Sequence, residues 1–170
     1  NEEMPELIMF WGHNPLYSSP DGEMGFGVKE ALARKPKTIV VDPRETMLAK
    51  RADIWLQLRP GTDDALALAM LNVIIEEDLI DHDFVAEWTH GFEELAERVK
   101  QYTPEWAEPI TWCKADQIRE AARLYATVKP SMLEWGCAIE HTPACFQTVR
   151  ALLCLPAITG NIDQPGSWAF

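Results

Sequence analysis

The sequence predicts an α/β domain, a three-layer arrangement in which a mostly parallel sheet of about four or five strands carries helices on both faces. Three observations carry that expectation. Short continuous apolar runs at residues 7–11, 39–41 and 54–58 have the pattern of strands covered on both faces, and Ile39, Val40 and Val41 are all β-branched. Each run ends in turn residues: Gly12-His13-Asn14-Pro15, Asp42-Pro43 and Pro60-Gly61. Helical periodicity separates the runs, and a strand–helix–strand unit of this length implies a right-handed crossover with parallel pairing.

Taken in order, residues 7–11 (Leu-Ile-Met-Phe-Trp) are a buried strand. Residues 18–27 read as a loop, with Pro20-Asp21-Gly22 as its turn signal, and residues 28–34 as a short helix with Val28, Ala31 and Leu32 on one face. Lys35-Pro36-Lys37 leads into the second strand. Residues 46–52 form a short helical or irregular link, followed by a third strand at 54–58 and a helix at 65–75 whose broad apolar surface implies burial on more than one side. Residues 81–88, 92–100 and 103–108 read as small surface helices, capped by Asp81 and Thr103, with Trp88, Phe92, Tyr102 and Trp106 packing this excursion onto the sheet. Residues 115–127 form an amphipathic helix with Ile118, Ala121, Ala122 and Tyr125 on one stripe, and residues 132–135 a fourth strand. Residues 138–143 connect to a last helix at 144–155, which Pro156 should end or kink. The turn-rich tail, Thr159 to Gly166, is suited to a second ligand-facing loop.

With 170 residues and 47% apolar content the chain is one large domain with a real core. A net charge of −12 argues against a nucleic-acid partner. No window approaches the roughly 18 consecutive apolar residues of a spanning helix, so no direct membrane insertion is expected. The chain opens without methionine and reaches strand-like sequence within seven residues, so it is expected to be a piece excised from a longer protein. Cys113, Cys137, Cys145 and Cys154 are too widely spread for a zinc or iron–sulfur knuckle, so free, mostly buried thiols and no metal site are expected.

In open α/β sheets, ligands bind beyond the carboxyl ends of the strands. Proline pushes the residue before it into extended backbone, so the second strand delivers Asp42 at that end, and the third leads to Asp63 at the head of a helix. Arg44 and Arg59 join the two carboxylates along one rim, a set suited to a nucleotide. Each member also has a plainer role. Gly12 permits either a simple turn or close backbone approach to a ligand. Asn14 offers donors and an acceptor. His13 and His141 fit turn or structural histidines as well as ligand groups. Asp63 is either a helix cap or a ligand group at the positive end of a helix. No Gly-x-Gly-x-x-Gly or phosphate loop is present, so the layout is Rossmann-like without the dinucleotide fingerprint.

Four motifs in order resemble the molybdopterin oxidoreductase family of dimethyl sulfoxide reductase type. They are Trp11-Gly12-His13-Asn14-Pro15; Val41-Asp42-Pro43-Arg44-Glu45-Thr46; Leu58-Arg59-Pro60-Gly61-Thr62-Asp63-Asp64-Ala65-Leu66; and Leu155 to Gly166 with its Thr159-Gly160-Asn161-Ile162-Asp163-Gln164-Pro165-Gly166. Between them, Asp81-His82-Asp83-Phe84-Val85 and Thr89-His90-Gly91-Phe92 look like the family's middle segment. The resemblance covers essentially the whole chain. It implies one α/β domain of a larger bacterial catalytic subunit of the kind used in anaerobic respiration. Such a domain holds one of two molybdopterin guanine dinucleotides that chelate molybdenum or tungsten. Carried over by position, Asn14 and the Gly12 turn would meet the pyrophosphate or adjacent groups, with Trp11 and His13 also among the cofactor-binding residues. Asp42 would accept from ribose hydroxyls, with Pro43, Arg44 and Thr46 nearby. Pro60 and Gly61 would turn the chain toward Asp63, which would take the guanine edge, because guanine presents two donors that one carboxylate accepts together.

On this resemblance no catalytic residue lies in the fragment, His141 being the one candidate near the active-site funnel. The metal-ligating residue and any iron–sulfur cluster would lie elsewhere in the parent. Expected partners are the parent's remaining domains and an electron-transfer iron–sulfur subunit. Relatives of that family occur in the bacterial cytoplasm and periplasm, so the compartment stays open. Two other functions fit the residues alone: a non-catalytic α/β scaffold or subunit-interaction module, and the nucleotide-binding domain of a thiamine-diphosphate-type enzyme.

Overall fold

The structure, a computed structural model, describes residues 4–19 and 21–167. Pro20, the first residue of the expected turn, lies outside the described residues. In chain order the elements are β1 (Leu7–Trp11), α1 (Pro15–Ser18), α2 (Glu23–Ala33), β2 (Lys37–Val41), a 3-10 turn (Ala49–Arg51), β3 (Ile54–Leu56), α3 (Asp63–Glu76), α4 (His82–Trp88), α5 (Phe92–Val99), α6 (Pro104–Thr111), α7 (Ala115–Thr127), β4 (Ser131–Trp135), α8 (Cys137–Glu140) and α9 (Cys145–Thr159).

The four strands pair in parallel in the order β3-β2-β1-β4. Leu7 stands opposite Lys37 and Ser131, and Trp11 opposite Val41 and Trp135, so the three longer strands end level. Side chains alternate between two cores, as the strand period of two requires. Leu7, Met9, Trp11, Ile39, Val41 and Leu133 join the larger core with α3, α7 and α9. Ile8, Phe10 and Val40 join the smaller one, with Ala31 of α2 and with Leu48 and Ala49. The expected three layers are therefore present. Helix α3 is the centre of the larger core: Leu66, Ala67, Met70, Leu71 and Ile74 are fully buried, which is why its sequence shows no polar face.

The structure corrects several local expectations. The expected loop at 18–27 is instead α1 followed by the first turn of α2, which starts at Glu23 rather than Val28; Gly25 is buried inside that helix. The third strand stops at Leu56, two residues early, because Leu58 N–H turns back to Leu56 O at 3.0 Å. Residues 137–140, expected as plain connection, form the single turn α8. Pro156 does not end the last helix: α9 runs on to Thr159 and is capped by Gly160 in the left-handed region at φ 67°. A proline within the last turn forfeits one bond, and Leu155, Ile158 and Thr159 around it are buried. The four thiols are free, but only Cys113 is buried, and Cys137 is exposed. Of the four aromatics expected to pack the excursion, Phe92 and Tyr102 do so, whereas Trp88 is 71% exposed and Trp106 lies at the surface with its ring 4.8 Å from that of Tyr102.

The tail meets a different fate from the one expected. Helix α9 returns antiparallel to the strands, so it delivers Gly160 and Asn161 to the amino-terminal edge of the sheet, opposite Asp42 and Asp63. Asn161 is 2% exposed there. Its Oδ1 accepts from Ser131 N–H at 3.0 Å and its amide donates to Thr159 Oγ1 at 2.9 Å. This segment closes the fold rather than a second side of the carboxyl crevice. Among the described residues, no helix is long and apolar enough to cross a membrane.

Candidate functional site at the carboxyl edge of the sheet

The chain leaves β1 toward β2 on one side, while β4 pairs on the other. The β1–β4 boundary is therefore the switch point at which open α/β sheets form a crevice. Gly12 turns there with φ 58° and donates to Val41 O at 2.8 Å, and Gly136 N–H donates to Trp11 O at 3.2 Å. A Cβ on Gly136 would meet Gly12 O at 2.6 Å and His13 Cα at 3.2 Å, so the two loops touch backbone to backbone. These bonds tie the ends of β2, β1 and β4 into one edge.

Two side chains follow the Gly12 turn. Asn14 Oδ1 is buried without a hydrogen-bond partner. His13 Nδ1 approaches Glu134 Oε1 of β4 at 2.8 Å, with the two side chains 14% and 13% exposed. The angle falls short of a hydrogen bond, which leaves His13 Nδ1 without a partner, and the other carboxylate oxygen, Glu134 Oε2, is also buried without one. Burial pushes the Glu134 carboxyl above its ordinary value, against the opposing pull of His13.

Next along the edge, Asp42 is 4% exposed. Its Oδ1 accepts from Arg44 N–H at 2.8 Å, and its backbone oxygen accepts from Trp55 Nε1 at 2.8 Å. The Arg44 side chain stays 75% exposed with Nε 3.5 Å from Asp42 Oδ1, free to swing toward a ligand. Pro43 O accepts from Gln57 Nε2 at 3.1 Å, which ties the loops after β2 and β3 together. Thr46 Oγ1 accepts from Ala49 N–H at 3.1 Å, so this side chain serves the 3-10 turn.

Asp63 opens α3 and is 8% exposed. Its Oδ1 accepts from Trp11 Nε1 at 2.9 Å, a bond that spans from the third loop to the end of β1. Burial raises the Asp63 carboxyl, with the Trp11 donor opposing. Asp63 is not the cap of α3, whose N-cap position is Thr62; it lies in the first helical turn, where the macrodipole favours an acid, with its carboxylate turned to the Trp11 indole. Thr62 instead turns its hydroxyl to Arg59 O at 2.6 Å. Gly61 takes φ 80°, with open space where a Cβ would stand. Arg59 donates its N–H to Thr111 O at 2.7 Å and lies 5.6 Å from the exposed Trp112 ring.

The structure therefore gathers Trp11, Gly12, His13, Asn14, Asp42, Pro43, Arg44, Pro60, Gly61 and Asp63 on one edge. His141, expected near an active-site funnel, is exposed at the end of α8. Glu134 was not foreseen, and its signal was present: a carboxylate inside the strand run Ser131–Trp135. Burial pushes the Cys113 thiol up to about 11, which leaves it protonated and unreactive at neutral pH. Among the described residues, no cluster of three or more His, Cys, Asp or Glu could hold a metal.

Comparison with known proteins gives a consistent picture. The family model for molybdopterin oxidoreductase matches residues 3–170. Acetylene hydratase of Syntrophotalea acetylenica is 47% identical over 134 residues, covering 79% of this chain and 18% of the relative. Formate dehydrogenase H of Escherichia coli K12 is 41% identical over 160 residues, 94% of this chain and 22% of the relative. The solved structure of acetylene hydratase from Pelobacter acetylenicus superposes with a TM-score of 0.86 at 41% identity, over 94% of this chain and 22% of that one. The chain thus spans about a fifth of the length of the relatives it matches.

Proposed function

Since the chain belongs to the molybdopterin oxidoreductase family, we propose that it is the domain that binds one guanine dinucleotide of a bis-pterin molybdenum or tungsten centre and orients it for redox of a small substrate. The observation that carries this is the carboxyl-edge crevice, where Asn14 Oδ1 lies buried without a partner, one of three such atoms at that end of the sheet among the described residues. The bound group supplies the electron chemistry; the chain supplies binding, orientation and electrostatics.

Each residue has a role that its surroundings support. The Gly12 turn and the Gly136 contact let backbone approach a ligand closely. Asn14 accepts from a ligand donor. Asp42, already fixed by the Arg44 N–H, accepts ribose hydroxyls, and the mobile Arg44 guanidinium reaches a phosphate. Asp63 takes the guanine edge. Burial without enough donors raises this carboxyl, and a guanine N1–H and N2 amine would supply the donors that favour its charged form. Pro60 and Gly61 set that turn, and Trp11 holds the carboxylate in aim.

The parent protein is an oxidoreductase in this proposal, working with its other domains and an iron–sulfur electron-transfer subunit. The test is the metal content of the full-length parent, with the GMP released by acid hydrolysis. About two GMP per molybdenum or tungsten are expected, falling toward one in Asp63→Ala. Absence of GMP from a folded, cofactor-competent preparation would overturn the proposal. The Trp11–Asp63 bond favours one competitor, a purely structural Asp63. In that case Asp63→Ala lowers the melting temperature and leaves GMP content unchanged.

A further inference from the structure

The His13–Glu134 pair joins the first and last strands of the chain at the switch point. A carboxylate on a strand face, 13% exposed and next to a future anionic ligand, is unfavourable by itself. Among the described residues, its one close neighbour of opposite potential charge is His13, at 2.8 Å. The loop Gly12–Asn14 contains no lysine or arginine, so His13 is its only group able to carry positive charge. Gly136 pins the histidine backbone: a Cβ there would lie 3.2 Å from His13 Cα and from His13 Cβ. With the backbone pinned, the imidazole can turn only about its side-chain bonds, and the buried Nδ1 already faces Glu134.

We propose that Glu134 is the positioning residue for His13: it takes Nδ1–H of the imidazole, so that the opposite nitrogen, Nε2, presents a charged N–H to a phosphate oxygen of the bound dinucleotide. This rests on the dinucleotide function proposed above. The unaligned 2.8 Å approach is the ligand-free form of that bond. A phosphate oxygen on Nε2–H turns the ring into alignment and gives the orphaned Nδ1 its partner in Glu134 Oε1. Glu134 touches no ligand; it acts through the histidine, as a carboxylate behind a histidine fixes which nitrogen faces outward.

The test uses the full-length parent loaded with cofactor. The half-time of guanine nucleotide loss in mild urea is measured as GMP remaining on the protein, alongside the melting temperature of stripped protein. His13→Asn and Glu134→Leu should each speed release about tenfold, and the double variant no more than either single, because both remove one coupled interaction. Glu134→Gln keeps an acceptor oxygen and should stay within about threefold of wild type. Release at the wild-type rate in either single variant, or multiplicative effects in the double, would overturn the proposal. Should Glu134→Leu fail to fold, His13→Asn decides alone, since its ring is partly exposed and its loss leaves the core intact. If Asp63→Ala lowers GMP content while the pair variants release normally, only the positioning role falls. If the wild-type parent carries no GMP, the dinucleotide function falls and this role with it.

Discussion

Gly136→Ala tests whether the carboxyl edge is packed as tightly as the backbone contacts indicate. Gly136 has φ −108°, so alanine brings no conformational strain and the cost is purely steric. The new Cβ would stand 2.6 Å from Gly12 O, whereas an ordinary contact needs 3.4 Å, so the two loops must part by 0.8 Å. The obstructing atom is backbone and cannot swing away. Parting the loops lengthens the 3.2 Å bond from Gly136 N–H to Trp11 O and disturbs the Gly12 bond to Val41 O. Overpacking of this kind costs about 1–3 kcal/mol, a fall of roughly 3–10 °C in melting temperature for a chain of this size. Gly27→Ala is the matched control: it lies inside α2 with nothing within 4 Å of the added Cβ, and should stabilise by about 0.5–1 kcal/mol through helix propensity. Circular-dichroism melting of both variants beside wild type gives the answer. A Gly136→Ala protein that melts with wild type, while Gly27→Ala melts higher, would refute the close packing and leave the crevice without its pinned loop.

Asn161→Ala strips the partner from the buried Ser131 N–H and should cost about 1–3 kcal/mol, read as a lower urea midpoint with unchanged slope. The Arg123 guanidinium makes two bonds to Glu77, at 2.7 and 2.8 Å, and holds that carboxyl below its ordinary value against the opposing effect of burial. A lowered folded value means the contribution is full above the unfolded value of 4.5 and is lost as pH falls below it. Arg123→Gln should therefore unfold at a slightly lower urea concentration than wild type at pH 7, the difference small because the arginine is 53% exposed, with the two proteins converging as pH falls below 4.5. A constant gap across that range in urea titrations would rule out the ion pair as its source.

How much of this was legible in the sequence depended on whether the signal was local. Strand runs ending in Asp-Pro or Gly-x-Asn-Pro are local, so β1, β2 and the placement of Asp42 could be read directly. The start of α2 was hidden because Gly25 and Gly27 look like loop residues, while burial of Gly25 is not readable from local sequence. The tail was misplaced for a different reason. Gly-Asn-Ile-Asp reads as a turn at either end of a sheet, and its position follows from chain direction: the segment after a helix that follows a parallel strand must emerge at the amino-terminal edge. The His13–Glu134 pair depends on strand order, since β4 had to be placed beside β1 rather than beside β3. A charged residue in the middle of a strand was the only local hint.

The two edges of the same sheet are finished differently, and that difference supports the proposed site independently of any single motif. At the amino-terminal edge Asn161 satisfies Ser131, Lys129 pairs with Asp81 at 3.1 Å, and Asp81 caps α4 through Phe84 N–H at 3.0 Å. Among the described residues, four buried side-chain polar atoms lack partners, and three of them, on His13, Asn14 and Glu134, sit at the β1–β4 end of the carboxyl edge. A folded chain rarely leaves buried polar atoms unbonded, because each costs about 1–3 kcal/mol. Their concentration at one end of the sheet fits the binding role proposed above, in which the complementary donors and acceptors would arrive with the ligand.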